Sequence, residues 1–483
     1  MTTQQLPTQT SVLIVGAGPA GLTLAASLAQ LGIEHVIIDQ KPTAAAGSKA
    51  AAIQPRSLEY LARISVSDVL VDDGLRGGGF AVTDRDRSLI RLSYESIASP
   101  FPFLLLISQQ QTEIRLAERL NTLGGNVVRS TRLVSLQDEF PGRAATVVDE
   151  RGFARVINAR YVVGCDGVHS TVRRLAGLDF PGDAPAALFA LADAEIDTFA
   201  DNLDTTFSFS DHGMFITSPL PGGLIRVVAA VPEDTPAPSV SDVVELMRTR
   251  AGAWAKDVRV TSLAGSSTYR VQQRVAPTLR NGNVFLVGDA AHTHSPAGGQ
   301  GMNTGIQDAA NLAWKLHHAL TGLAAEQVLD SYDAERRPVA HGLIAFTSQL
   351  MQLATVGDPH LAALRNQALF AAAGVPGVTD WLATKLSQLD IGYPNPRAGD
   401  SLAGTRVDPR IAQPQGLSWT LVLPSGSPIP DLPADITVTT TAEVGRSVAV
   451  RPDGIAADRD LVGHFFGDVL NIADNDAMAR TPA

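Results

Sequence analysis

Residues 288–316 read GDAAHTHSPAGGQGMNTGIQDAANLAWKL, and the residue types in that order suit one kind of chemistry. Asp289 follows the apolar run NVFLV, so a carboxylate sits at the end of a buried strand. Pro296, Gly298, Gly299 and Gly301 then form a loop that can approach a ligand closely, and Met302 and Asn303 open an amphipathic helix. A helix start offers free backbone N–H groups and a partial positive charge. The carboxylate can bind a polyol, and the helix start can stabilise negative charge on a flat ring. A flavin has both features.

Two further motifs precede this one. GAGPAG occupies 16–21, after a short apolar run. Gly16 permits the tight turn, Gly18 lets the backbone approach a pyrophosphate, and Gly21 lets helix and strand pack closely. The diphosphate then lies on the helix N-terminus. Asp39 ends the next strand and can accept hydrogen bonds from ribose hydroxyls. A strand, a helix and a strand within about 30 residues are the setting in which such glycines signify dinucleotide binding, although this motif alone does not separate NAD from FAD. The second is GCDGVHSTVR at 164–173. There Asp166 and Gly167 end another apolar strand, and Arg173 falls on the helix that follows. Taken alone, Asp166 reads equally well as a cap for that helix.

The elements that must hold these motifs can be read from periodicity. A helix is expected over 21–31, with Leu24, Leu28 and Leu31 on one face, and strands over 11–15 and 35–38. Residues 57–70 read as helix. The alternating stretch 75–99, with Gly77, Gly78 and Gly79, reads as a small sheet or an active-site loop. Residues 111–123 read as a helix burying Ile114, Leu116, Leu120 and Leu123. From 188 to 269, strand-like pieces broken by Pro and Gly imply a mostly antiparallel sheet with one helix near 240–250. A long helical region runs from 304 to about 386, and a Pro-rich junction at 393–400 leads to strand candidates at 419–423, 436–440 and 447–450. The expected domains are 1–187 and 275–395 for a Rossmann-like α/β unit, interrupted by 188–274, with 396–483 as a small terminal unit.

Composition narrows the function classes. A chain of 483 residues that is 45% hydrophobic can fill two or three cores. The net charge of −11, with scattered basic residues, disfavours nucleic acid. The single cysteine, Cys165, excludes a disulfide framework, a cysteine zinc site and a CxxC redox pair. The first residues lack the order of a signal peptide, and no uncharged apolar run approaches the ~18 residues of a spanning helix. A soluble cytoplasmic protein is expected.

The order GAGPAG, CDGVHSTVR, GDAAHTHSPAGGQGMN resembles the group A FAD-dependent aromatic hydroxylases, the family with the p-hydroxybenzoate hydroxylase fold. The resemblance is strong over about residues 10–345 and is closest to the polyketide and phenol hydroxylase branch. It implies a thioredoxin-like terminal domain without redox cysteines, to which RPDG at 451–454 contributes a late strand. It implies that Gly16, Gly18, Ala20 and Gly21 surround the FAD pyrophosphate and that Asp39 binds the adenosine ribose. The backbone of Leu133 meets the adenine edge. Gln109 reaches the ribityl region, with Gln111 as the competing alignment, and Asp289 binds the ribityl chain. Asp166 and Gly167 link the FAD and nicotinamide regions. Gly301, Met302 and Asn303 face the flavin pyrimidine edge, with Pro296 beside the ring. Lys49 stands where the family carries Arg, which keeps the charge but loses the bidentate fork.

The implied reaction is oxygenation of a phenolic or polycyclic aromatic substrate by O2 and NAD(P)H, NADPH favoured, through a flavin C4a-hydroperoxide, in a monomer or homodimer without membrane or nucleic-acid partners. The same fold could instead perform Baeyer–Villiger oxidation, epoxidation or drug-inactivating oxygenation, or could sequester a ligand without turnover. On the substrate side, Arg226 faces either the flavin or a substrate oxygen, or is a solvated strand charge. Asp211 and His212 read as an exposed loop pair before they read as acid–base groups. His292 and His294 lack the third ligand a metal needs. Trp254, Trp314 and Trp381 read as core or interface residues.

Overall fold

The computed structural model describes residues 6–44, 50–182, 188–197, 204–295, 297–356, 358–393, 403–429, 432 and 436–457. Its main sheet has eight strands. Strand Gln9–Val15 lies at the centre, parallel to His35–Ile38 on one side and to Ala154–Gly164 on the other. Val127–Val128 extends the sheet beyond His35–Ile38, and Val284–Leu286 extends it beyond Ala154–Gly164, both in parallel. Strands covered on both faces read as continuous apolar runs, and Val12, Leu13, Ile14, Val162 and Val163 are all fully buried. Helices Pro19–Gln30, Gln109–Thr122 and Gly301–Thr321 pack on this sheet and bury Leu22, Leu28, Leu116, Leu120, Ile306 and Leu312 in one core.

A second sheet of seven strands runs in the order Val260–Arg270, Leu188–Ile196, Leu224–Val231, Phe215–Leu220, Thr205–Phe209, Gly79–Asp84, Arg87–Ser93. It is antiparallel except where Thr205–Phe209 meets Gly79–Asp84. Within 75–99, the hairpin Gly79–Asp84 and Arg87–Ser93 therefore belongs to this second layer although it lies within the first part of the chain, whereas Leu75–Gly77 pairs with Leu104–Leu106 in a separate small sheet. Helix Val240–Arg250 starts on a Ser239–Asp242 capping box and packs Val243 and Met247 against Phe215 and Val227.

The helical region begins at Gly301 and is divided into Gly301–Thr321, Asp330–Ala354, Pro359–Ala373 and Val378–Leu386. Beyond it, Trp419–Pro424 pairs in parallel with Ile436–Thr441 and antiparallel with Val448–Val450, a three-stranded sheet. Trp419 of that sheet packs edge-on against Trp314 at 5.7 Å between ring centroids. Among the described residues no single helix is long and apolar enough to cross a membrane.

One burial expectation needs correction. Ile114 is 37% exposed, because the buried stripe of its helix runs through Thr112, Glu113, Leu116 and Leu120 instead. Of the tryptophans, Trp314 is in the core, whereas Trp254 and Trp381 lie at the surface, 39% and 57% exposed.

Candidate cofactor site

The central parallel strands end along one edge, and a cleft opens there. Gly16, Gly18, Asp39, Gln109, Leu133 and Gly167 line it, with Asp166 in its wall. Gly16 has φ +105°, and a Cβ on it would lie 2.3 Å from the Cys165 carbonyl oxygen, so only glycine fits. Gly21 packs just as tightly, since its Cβ would lie 2.0 Å from the Gly16 oxygen. Gly18 is different. Its φ is −78°, and no atom lies within 4 Å of a Cβ built on it. Nothing in the protein requires glycine there. The space belongs to the cleft, directly at the start of helix Pro19–Gln30, where no side chain caps the free N–H groups. A diphosphate on a helix start needs that room.

The other cleft residues are held by local bonds. Asp39 accepts the backbone N–H of Ala17 through Oδ2 and of Lys41 through Oδ1, both at 2.7 Å. A carboxylate has about four acceptor sites, so capacity for sugar hydroxyls remains. Gln109 donates to Glu113 at 2.8 Å and faces the cleft, whereas Gln111 donates to Asp73 at 2.8 Å on a neighbouring helix. Asp166 accepts the backbone N–H groups of Thr171 at 2.6 Å and Val172 at 3.1 Å, so its carboxylate caps the short helix while the residue walls the cleft. Burial pushes the Asp166 carboxyl above its usual value, against these hydrogen bonds. Arg129 also lines the cleft, 3.9 Å from Asp39. The sequence reading did not single it out, although the parallel pairing of Ile38 with Val128 places Arg129 beside Asp39.

The loop that begins at Gly288 meets the GAGPAG segment through small residues. A Cβ on Gly288 would lie 3.4 Å from the Ala20 Cβ, and one on Gly305 3.3 Å, so helices Pro19–Gln30 and Gly301–Thr321 approach closely near their starts. Asp289 is exposed in the turn after strand Val284–Leu286. The first intrahelical bond of Gly301–Thr321 runs from Thr304 to Gln300 at 2.9 Å, which leaves the amides of Gly301, Met302 and Asn303 ahead of the ladder. The Asn303 side chain accepts the Gln54 N–H at 2.8 Å and donates to Ala52 and Gly299 at 3.1 and 2.8 Å, fixing that turn. Lys49 and Pro296 lie outside the described residues.

Behind the loop is a buried cluster that the sequence reading missed. Asp308 accepts from Arg336 at 2.7 Å, from the Gly288 amide at 3.1 Å, and pairs with His292 at 2.7 Å. His294 points its Nδ1 at the Ser295 carbonyl, 2.7 Å away, and burial lowers its pKa. The two histidines thus turn to different partners, and among the described residues no group of three or more metal-ligating side chains is assembled.

Arg226 is neither solvated nor pointed into the cleft. Only 3% exposed, it donates twice to Asp193 at 2.7 Å and once to the Ala50 carbonyl at 2.7 Å. It therefore ties the second sheet to the segment beside the loop. Asp211 and His212 are exposed, and Asp211 pairs with Arg85.

Comparison with known proteins agrees with this geometry. The family model described as an FAD binding domain matches residues 9–347. The chain is 33% identical over 411 residues to the 12-dehydrotetracycline 5-monooxygenase/anhydrotetracycline 6-monooxygenase of Streptomyces rimosus subsp. rimosus, covering 82% of this chain and 79% of that protein. It is 31% identical over 419 residues to the pentachlorophenol 4-monooxygenase of Sphingobium chlorophenolicum, covering 83% and 77%. Among solved structures, the OxyS anhydrotetracycline hydroxylase from Streptomyces rimosus matches with a TM-score of 0.77 at 27% identity, over 95% of this chain and 99% of that one. With the glycine-lined cleft, the two joined helix starts and these matches taken together, the chain belongs to the FAD binding domain family and is an FAD-dependent aromatic monooxygenase of the group A type.

Proposed function

We propose that the chain hydroxylates a phenolic or polycyclic, polyketide-like aromatic compound, with NAD(P)H as reductant, NADPH favoured, and O2 as oxygen source. The observation that carries this reading is the junction of the two helix starts, where Ala20 meets Gly288 and Gly305. One start faces the open space at Gly18, and the other presents the amides of Gly301, Met302 and Asn303. Bound FAD supplies the redox chemistry, taking electrons from the nicotinamide and delivering one oxygen atom to the ring.

The protein's residues divide the remaining work. Gly18 and the helix start hold the pyrophosphate. Asp39 accepts the adenosine ribose hydroxyls, and the Leu133 backbone borders the adenine. Gln109 and Asp289 hold the ribityl chain. The start of helix Gly301–Thr321 places partial positive charge where an electron-rich ring edge gains from it. Arg226 acts as a positioning residue, because three of its five N–H donors are engaged by Asp193 and Ala50. The apolar group Phe80, Leu92, Leu104 and Leu386 packs between the second sheet and helix Val378–Leu386 and supports exclusion of water from the substrate side. The relatives' substrates, 12-dehydrotetracycline and anhydrotetracycline in one and pentachlorophenol in the other, support the same substrate class.

The test is NADPH and NADH consumption across simple phenols and polycyclic aromatics, with product mass. At least one ring compound should stimulate consumption and gain one oxygen atom. Oxidation that no aromatic stimulates, with no oxygenated product, would overturn the reading.

A further inference from the structure

Gln54 is completely buried where strand Ala52–Ile53 turns into helix Pro55–Arg63. Its Nε2 donates to the Gly298 carbonyl at 3.0 Å, and its Oε1 accepts the Tyr94 hydroxyl at 3.0 Å. Its backbone N–H donates to Asn303 at 2.8 Å. The carboxamide orientation is dictated by its partners. The Gly298 carbonyl can only accept, so the amide nitrogen must face it, and Oε1 is left for the hydroxyl. Burial holds the Tyr94 phenol protonated, so it is available as a donor.

Both ends of this line matter. Gly298 has φ +79° within the glycine-rich loop, and its carbonyl has one other amide donor, Gln300, at 2.8 Å. Tyr94 directly follows strand Arg87–Ser93, donates its backbone N–H to Gly78 at 2.9 Å and packs edge-on against Phe80 at 6.0 Å. Its hairpin forms the last two strands of the second sheet.

We propose that Tyr94 is a positioning residue which, acting through Gln54, ties the second-sheet hairpin to the Gly298 peptide and so limits how far the loop 298–303 moves beneath the flavin. The inference rests on the FAD reading of that loop. Without the hydroxyl, the Gly298 carbonyl still holds Nε2, but Oε1 loses the donor that fixes the other end of the Gln54 carboxamide. The carboxamide can then swing and its hold on Gly298 weakens, which leaves more of the loop's restraint to Gln300 and Asn303.

The experiment uses the FAD-loaded enzyme and its Tyr94→Phe variant, which keeps the ring and removes one oxygen. The readouts are the fluorescence anisotropy decay of bound FAD and the anaerobic rate of FAD reduction by NADPH with no aromatic compound present. The variant should retain FAD, show faster local depolarisation of the flavin, and change its reduction rate at least threefold. In a Gln54→Leu background the same substitution should add nothing. Wild-type anisotropy and rate in Tyr94→Phe, or an equal effect in the Gln54→Leu background, would overturn the inference. A drop in melting temperature alone would mark Tyr94 as merely structural and would also overturn it. If Tyr94→Phe folds poorly, Gln54→Glu replaces it: a carboxylate facing the Gly298 carbonyl should loosen the flavin further, and unchanged anisotropy would count against the proposal. Wild-type protein that retains no FAD would instead defeat the cofactor reading itself, a separate result visible before any variant is made.

Discussion

Arg336 donates from Nε to Oδ1 of Asp308 at 2.7 Å, and neither side chain has exposed surface. The other oxygen of Asp308 takes the Gly288 amide and His292. One buried charge therefore fixes the strand end, the loop and the helix of the flavin segment relative to one another. Removing one member of such a pair leaves the other uncompensated.

Asp308→Asn should destabilise the protein by about 3–5 kcal/mol, measured by urea unfolding. An Asp308→Leu/Arg336→Leu double variant should lose less than the sum of the single changes. The pair also predicts acid behaviour. Burial alone would raise the Asp308 carboxyl, but Arg336 and His292 outweigh it and bring it down to about 2. A depressed carboxyl stabilises the fold above its unfolded value of about 3.9, and this contribution is lost as pH falls to the folded value. The urea midpoint should drop across that window, and Asp308→Asn should flatten the drop.

Gly16 and Gly18 should respond in opposite ways. Gly16→Ala forces a Cβ to 2.3 Å from a carbonyl oxygen at a left-handed φ, so the protein without cofactor should melt lower. A Cβ at Gly18 has no protein atom within 4 Å apart from its chain neighbours, so Gly18→Val should leave that melting transition nearly unchanged. It fills the diphosphate space, so FAD affinity should fall more than tenfold, at least about 1.4 kcal/mol. Calorimetry without FAD and FAD titration separate the two.

Gln109→Ala should weaken FAD binding several-fold, and Gln111→Ala should not. Gln109 faces the cleft, whereas Gln111 is engaged with Asp73. Fluorescence titration with FAD checks both.

His318 links the flavin helix to the terminal unit by accepting from Trp419 Nε1 at 2.9 Å. Burial, reinforced by neighbouring His317, lowers its pKa to about 4. The unfolded value is about 6.5, so between the two values the folded form binds fewer protons. Stability should therefore fall as pH drops from about 6.5 to about 4 and then level off in this component. His318→Gln, which keeps an acceptor, should remove that component from guanidinium midpoints followed by tryptophan fluorescence.

The cleft lined by Gly16, Gly18 and Asp39 was legible because its determinants are local. Gly16, Gly18 and Asp39 fall within one strand–helix–strand unit, and Asp166 ends the strand beside it. Choosing between Gln109 and Gln111 needed the structure, since two positions apart on a helix differ by roughly 200°. Periodicity misplaced Ile114 because Glu113, a charged residue held by Gln109, occupies the buried stripe. The Asp308–Arg336–His292 cluster and the Tyr94–Gln54 line join different elements, and no local pattern encodes such pairings. Arg226 could not be resolved from its strand, because its partners Asp193 and Ala50 lie on other segments.

The central claim is that FAD lies along the cleft from Gly18 to the start of helix Gly301–Thr321. The most direct measurement is the visible absorbance of wild-type and Gly18→Val protein after saturation with FAD and desalting. The account predicts one retained FAD per wild-type chain and a colourless but folded Gly18→Val. Colourless wild-type protein, or a variant that keeps its flavin fully, would contradict it.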